Sequence, residues 1–95
     1  MITVQALHES GVGDQLAFDV AVRDTGSETQ HRVTMSRKIY ERLTGGKHTP
    51  EQAIEAAFRF LLDREAKESI LQRFDVTVIS TYFPEFEREL PRYLR

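Results

Sequence analysis

The sequence contains no cysteine and no tryptophan among its 95 residues. The absence of cysteine excludes disulfide bonds, thiolate metal ligands and a cysteine nucleophile. Small secreted domains are often held together by disulfide bonds, so this composition favours a reducing compartment. We therefore expect a cytoplasmic protein.

Long hydrophobic runs are missing as well. The longest uncharged apolar stretch lies near residues 76–84 and is interrupted by Thr77, Ser80 and Thr81. It falls well short of the roughly 18 apolar residues that a membrane-spanning helix needs. The first residues have neither a basic segment nor an apolar run typical of a signal peptide. We expect no membrane association.

Motifs for catalysis or cofactor binding are also absent from the sequence. The clusters Gly11-x-Gly13 and Gly45-Gly46 match neither a phosphate-binding nor a dinucleotide-binding loop. The three histidines, His8, His31 and His48, are far apart and lack a metal-ligand spacing. The many carboxylates lie beside arginines or near predicted helix starts, which indicates solvated surface charge. The sequence thus predicts no enzyme, no cofactor and no metal site.

The remaining composition is that of an ordinary folded protein, with 40% hydrophobic and 29% charged residues. A chain of this length buries somewhat more than about 60% of its unfolded surface when it folds. We predict a single small domain over residues 1–95.

The spacing of apolar residues changes from a period of two to a helical period near the middle of the chain. Alternation predicts strands at about 2–7, 15–23 and 28–35, joined by short turns into an antiparallel meander. Helical spacing predicts helices at about 37–43 and 50–66, with residue 73 as an alternative end of the second helix. Another helix is predicted at 84–90, and together these elements define an α+β fold.

Two segments carry more specific local signals. Thr49, Pro50 and Gln52 form a capping-box pattern at the start of the second helix. Residues 76–83 are rich in strand-favouring side chains, although a short helix capped by Asp75 also fits them. We favour a strand there and leave the helix open. The core is predicted to include Val4, Phe18, Val20, Val33, Ile54, Phe58, Leu61, Leu62 and Phe74.

Residues 31–48 are basic in a chain whose formal net charge is −2. The segment carries five basic residues against Glu41 alone: Arg32, Arg37, Lys38, Arg42 and Lys47. These side chains are interpreted either as a solvated face or as contacts to nucleic acid or another anion.

The stretch Gln30–Ser36, followed by a short helix and a capped second helix, resembles a ribbon-helix-helix DNA-binding unit. This resemblance covers about a third of the chain. It implies a dimer whose paired strands enter the major groove, with Gln30, Arg32 and Thr34 facing the bases.

The C-terminal segment alternates aromatic and acidic residues from Phe83 onward. Most of its aromatic side chains are expected in the core. Tyr93 and Leu94 follow Pro91 and are the candidates for a protein interface. The first functional hypothesis is a non-enzymatic interaction module with an unknown protein partner or a second copy of itself. The alternative is nucleic-acid binding through residues 31–48.

Overall fold

The computed structural model describes residues 1–7 and 13–94, and its centre is a four-stranded sheet. The strands are β1 (Ile2–Leu7), β2 (Gln15–Asp24), β3 (Ser27–Ser36) and β4 (Arg73–Asp75), in that spatial order. The first three strands form the predicted antiparallel meander, and β4 runs parallel to β3. The α+β class is therefore confirmed, whereas β4 was not predicted.

In the part of the chain that the structure describes, four α-helices accompany the sheet: α1 (Arg37–Thr44), α2 (Pro50–Leu62), α3 (Thr77–Tyr82) and α4 (Phe86–Glu89). The side chain of Ser36 caps α1 by accepting from the backbone N–H of Ile39 at 3.1 Å. The predicted capping box of α2 is present, because Thr49 and Gln52 exchange hydrogen bonds of 3.1 and 2.8 Å. No helix within residues 1–7 and 13–94 is both long and apolar enough to cross a membrane.

The second helix ends at Leu62, so the predicted extensions to 66 and 73 are wrong. The backbone N–H groups of Arg64 and Glu65 both donate to the carbonyl of Leu61 at 2.9 Å, which closes the last turn. Ala66 then has an extended backbone, with φ −70° and ψ 152°, so the chain leaves the helix axis there. A 3-10 turn at Lys67–Ser69 follows, and the chain returns to place β4 beside β3. A continuous helix to 73 is incompatible with that pairing.

Residues 76–83 contain helix α3, so the favoured strand interpretation is wrong. Asp75 accepts hydrogen bonds from the backbone N–H of Thr77 at 3.1 Å and from its hydroxyl at 2.7 Å. Val76 and Ile79 are buried by this arrangement. Burial of one helical face, together with the hydrogen bonds that Asp75 accepts from Thr77, outweighs the strand propensity of the segment.

The last predicted helix, 84–90, is shorter than expected. Helix α4 covers Phe86–Glu89 and continues as a 3-10 turn over Leu90–Arg92. Pro91 has no backbone N–H to donate, so the α-helical ladder cannot continue through it.

The core lies between α2 and the inner face of the sheet. The predicted residues Phe18, Val20, Val33, Ile54, Phe58 and Leu61 are buried, and Val4, Leu62 and Phe74 are half-buried against them. Phe60 lies among Phe86, Phe83 and Tyr93, with ring centroids 5.1, 5.9 and 5.9 Å away. These contacts attach the C-terminal helices to α2.

Candidate functional site

An apolar pocket lies where the end of α2, the segment leading to β4 and helix α3 meet. Its volume is about 220 Å³. The buried and half-buried apolar side chains that line it are Leu61, Ile70, Phe74, Val78, Ile79 and Phe83. We call this feature the apolar pocket.

Two large hydrophobic side chains at this pocket are exposed to solvent. Leu71 is 47% exposed and Tyr82 is 66% exposed. Single exposed hydrophobic residues are common, but two that line one apolar pocket form a continuous apolar surface. Covering such a surface with a second apolar group lowers the free energy, because apolar area is removed from water.

Among the described residues, Glu65 is the one acidic residue that lines the apolar pocket. Its side chain is half-buried and has no hydrogen-bond or ion-pair partner among the described residues. Burial raises the pKa of this carboxyl, because water stabilises its charged form less well there. Glu65 therefore offers an unused acceptor to a cationic or hydrogen-bond-donating group that enters the pocket.

Asp75 fixes the wall of the pocket to the sheet. Its carboxylate accepts hydrogen bonds from the Thr34 hydroxyl at 2.6 Å and the Gln15 amide at 3.3 Å, besides those from Thr77. Burial opposes ionisation of Asp75, but the hydrogen bonds from Thr34, Thr77 and Gln15 outweigh it and lower the pKa. Asp75 thereby connects β2, β3 and α3 through hydrogen bonds to one carboxylate.

A second, polar cavity of about 570 Å³ lies between β3 and residues 67–73. Lys67 is only 6% exposed and donates to Glu68 at 2.6 Å and to Asp24 at 2.9 Å. Hydrogen bonds to Glu68 and Asp24 raise the pKa of Lys67. The charges of this cavity are therefore largely paired with one another.

His31 also lines the polar cavity and has a structural role. Its Nδ1 lies 2.7 Å from the carbonyl of Leu71, and its Nε2 lies 2.8 Å from the hydroxyl of Thr29. The contact with a carbonyl requires a proton on Nδ1, so the ring joins β3 to the segment before β4. Among the described residues, no group of three His, Asp or Glu side chains is arranged to hold a metal ion.

Of the other two histidines, only His48 is among the described residues, and it lines neither cavity. His8 lies outside the described residues, as does Gly11. The Nδ1 of His48 is buried without a hydrogen-bond partner among the described residues. The backbone carbonyl of His48 accepts a hydrogen bond from the hydroxyl of Tyr40, which fixes the loop between α1 and α2.

The basic residues of the segment 31–48 differ in their surroundings. Arg32 forms an ion pair with Asp19 at 2.7 Å, and Arg42 forms one with Glu87 at 2.6 Å. The remaining three are exposed and have no acidic partner among the described residues: Arg37, Lys38 and Lys47. Nucleic-acid binding by these residues stays a prediction.

The arrangement around β3 differs from that of a ribbon-helix-helix unit. β3 lies between β2 and β4, and the backbone N–H of Arg32 already donates to Gln72 at 2.7 Å. The stretch around Arg32 and Thr34 therefore has no free edge for a strand from a second subunit. The dimeric ribbon implied by the resemblance is wrong for this chain.

Tyr93 and Leu94 are half-buried and pack against the core. The hydroxyl of Tyr93 donates to Asp63 at 2.6 Å and accepts from Arg64 at 3.4 Å. Arg64 also lies over the ring of Phe60, 3.7 Å from its centroid. Part of each side chain remains accessible, and their role in an interface stays a prediction.

The apolar pocket does not follow from the sequence analysis, because its lining comes from residues 61–83. For that stretch the sequence predicts a helix that ends at 66 or at 73, and a strand or a short helix over 76–83. A signal was present in the adjacent pair Ile70 and Leu71, since a short turn can bury only one of two neighbouring apolar side chains. No protein-family model, curated protein or solved structure matches this chain.

Proposed function

We propose that this protein is a non-enzymatic interaction module that binds an apolar segment of another protein in the apolar pocket. The observation that supports this proposal is the pair of exposed side chains, Leu71 and Tyr82, beside an apolar cavity. A partner that covers them removes apolar surface from water, which is the main favourable term in most protein association.

The size of the cavity favours a protein side chain over a small molecule. Sites for small molecules and cofactors usually enclose about 300–1,000 Å³. The apolar pocket encloses about 220 Å³ and continues outward along Leu71 and Tyr82. This shape suits one inserted apolar side chain whose neighbours along a peptide lie across the exposed residues.

Glu65 suggests which residues accompany that side chain. Its carboxyl is half-buried and unpaired among the described residues. A lysine or arginine next to the inserted residue would restore a partner to a charge that burial destabilises. The proposed ligand is therefore a segment with an apolar residue close to a basic residue.

Selection from a random peptide library provides the test. We expect the enriched peptides to combine an apolar residue with Lys or Arg. The double variant L71S/Y82S should bind them at least about tenfold more weakly, because it removes two apolar contacts from the interface. Both residues are exposed, so folding should be retained. Failure to enrich any peptide, or equal affinity of the double variant, would contradict the proposal.

Glu65 is tested separately from the apolar contacts. The variant Glu65→Gln keeps the shape of the side chain and removes its charge, while Glu51→Gln makes the same change at an exposed position on α2. Only Glu65→Gln should reduce the preference for peptides that contain Lys or Arg. Equal effects of the two variants would mean that overall charge attracts the peptides.

The exposed basic residues Arg37, Lys38 and Lys47 support nucleic-acid binding as a second candidate function. Fluorescence anisotropy of a labelled DNA duplex, at low and near-physiological salt, tests it. This function predicts binding that falls steeply with salt and is lost in R37E/K38E. Absence of binding at low salt would exclude it.

The site of action that we propose is a reducing cytoplasm. The support is the absence of cysteine from the 95 residues.

A further inference from the structure

The two edges of the sheet are protected to very different degrees. β4 has only three residues and begins with the charged Arg73, and the part of β3 beyond it carries Glu28. β1 has six residues without a charged side chain or a proline, and its register with β2 contains no bulge. Soluble proteins usually shield sheet edges by short strands, charges, prolines or bulges. β1 has none of these.

The backbone of β1 presents unpaired hydrogen-bonding groups along this edge. Met1 and Arg23 exchange two backbone hydrogen bonds of 2.7 and 2.8 Å, so the odd-numbered residues of β1 direct these groups toward β2. Ile2, Val4 and Ala6 therefore direct their N–H and C=O groups outward. These groups have no hydrogen-bond partner among the described residues.

The side chains of β1 are self-complementary when two copies of the strand run antiparallel. With Val4 opposite Val4, Ile2 faces Ala6 of the second copy on the side of the core. On the outer side, Thr3 faces Gln5 and Met1 faces Leu7. Apolar residues thus meet apolar residues, and polar residues meet polar residues. The even-numbered residues form the hydrogen-bonded pairs that this register requires.

We propose that the protein forms a homodimer in which β1 pairs antiparallel with β1 of a second copy, giving one continuous eight-stranded sheet. A two-fold axis passes between the two Val4 residues, which closes the assembly at two subunits. Pairing satisfies the outward backbone groups of Ile2, Val4 and Ala6. It also covers Met1, which is 82% exposed in the single chain.

This dimer leaves the apolar pocket accessible. β1 and β4 are the opposite edges of the sheet, and the pocket is built around the β4 side. The proposed dimer is therefore independent of peptide binding, and either can fail without the other.

Two double variants, which share the substitution Gln5→Lys, test the proposed register between the two β1 strands. T3K/Q5K places a lysine opposite a lysine at both positions where Thr3 faces Gln5, whereas T3E/Q5K places opposite charges there. Thr3 and Gln5 are exposed on the outer face, so both variants should fold. Sedimentation velocity over a range of concentrations should show a dimer for the unmodified protein and for T3E/Q5K. T3K/Q5K should dimerise at least about tenfold more weakly.

Three outcomes would overturn the proposal. They are an unmodified protein that stays monomeric at high concentration, a T3K/Q5K variant that dimerises as well as T3E/Q5K, and a loss of dimer in both variants. Hydrogen exchange of the unmodified protein gives a check that needs no substitution. The amides of Val4 and Ala6 should become more protected as concentration rises, and exchange independent of concentration would contradict pairing through β1.

Discussion

At the scale of single residues, Asp75 shows how one side chain can hold a site in place. Its carboxylate receives hydrogen bonds from Thr34, Thr77 and Gln15. Replacement by alanine leaves these donors without their acceptor, among them the backbone N–H of Thr77 at the start of α3. We expect Asp75→Ala to lower the free energy of unfolding by about 1–3 kcal/mol. Urea denaturation measures this loss.

The control for Asp75 is Asp14→Ala, which removes an exposed carboxylate near the start of β2. Its effect on the unfolding midpoint should be small, as is usual for surface substitutions. If Asp75→Ala were no more destabilising than Asp14→Ala, the hydrogen bonds around Asp75 would contribute nothing to stability.

Variants of Lys67 can distinguish the contribution of its aliphatic stem to stability from that of its charge. The side chain is buried, whereas its acceptors Asp24 and Glu68 are largely exposed and remain hydrated when the ammonium is removed. We therefore expect Lys67→Met, which keeps the stem, to be less destabilising than Lys67→Ala, which removes it. Thermal unfolding of the two variants decides the order. The reverse order would mean that the ion pairs dominate.

At the scale of secondary-structure elements, α1 carries charges that oppose its own dipole. Arg37 and Lys38 occupy the first turn, where the partial positive charge of a helix favours acidic residues. The variant R37E/K38E should therefore stabilise the fold by about 0.3–1 kcal/mol per substitution. Chemical denaturation at low salt measures the gain, and the neutral variant R37Q/K38Q should show a smaller one.

This prediction also helps to interpret the nucleic-acid test. A variant that gains stability but no longer binds DNA has lost a binding surface and has not merely unfolded. If R37E/K38E is instead less stable than the unmodified protein, the two side chains have a structural role in α1 that outweighs the dipole.

The elements differ in how far the sequence alone predicts them. The start of α2 follows from Thr49, Pro50 and Gln52, because all the groups of a capping box are close together in the chain. The three residues of β4 have no comparable local pattern. Their pairing depends on contacts with Arg32 and Thr34, about 40 residues earlier. Local chemistry predicts the first kind of element and cannot predict the second.

The candidate sites likewise depend on contacts that the local sequence does not predict. The position of Tyr93 and Leu94 after Pro91 predicts an interface, yet contacts with Phe60 and Asp63 cover part of Tyr93. The apolar pocket could not be predicted, because it depends on where α2 ends and on the return of the chain to pair with β3. Both follow from packing between segments distant in sequence.

At the scale of the whole molecule, the charge distribution predicts how stability depends on pH. Hydrogen bonds from Lys67 lower the pKa of Asp24 and Glu68, and a hydrogen bond from Arg23 lowers that of Glu28. The pKa of Asp75 is also lowered. A carboxyl whose pKa is lower in the folded state adds stability above its unfolded pKa of about 4 and loses it as pH falls. We expect stability to fall below about pH 4, mainly through Asp75, because Asp24, Glu28 and Glu68 are exposed and water screens their contacts.

The effect of Glu65 on stability changes with pH in the opposite direction, because burial raises the pKa of its carboxyl in the folded state. Its contribution is fully favourable below its unfolded pKa and is lost as pH rises through its folded pKa. Glu65→Gln keeps the side chain neutral at every pH, so it should raise the unfolding midpoint near pH 7 and leave it unchanged near pH 3. Denaturation curves at the two pH values measure the difference.

A peptide that carries a basic residue should reduce this advantage of Glu65→Gln. The unmodified protein regains a partner for the Glu65 carboxylate when such a peptide binds, whereas the glutamine variant has no charge to pair. We therefore expect the unfolding midpoints of the two proteins near pH 7 to converge at saturating peptide. If the difference is the same with and without peptide, the basic residue does not contact Glu65, and the apolar pocket recognises hydrophobic side chains alone.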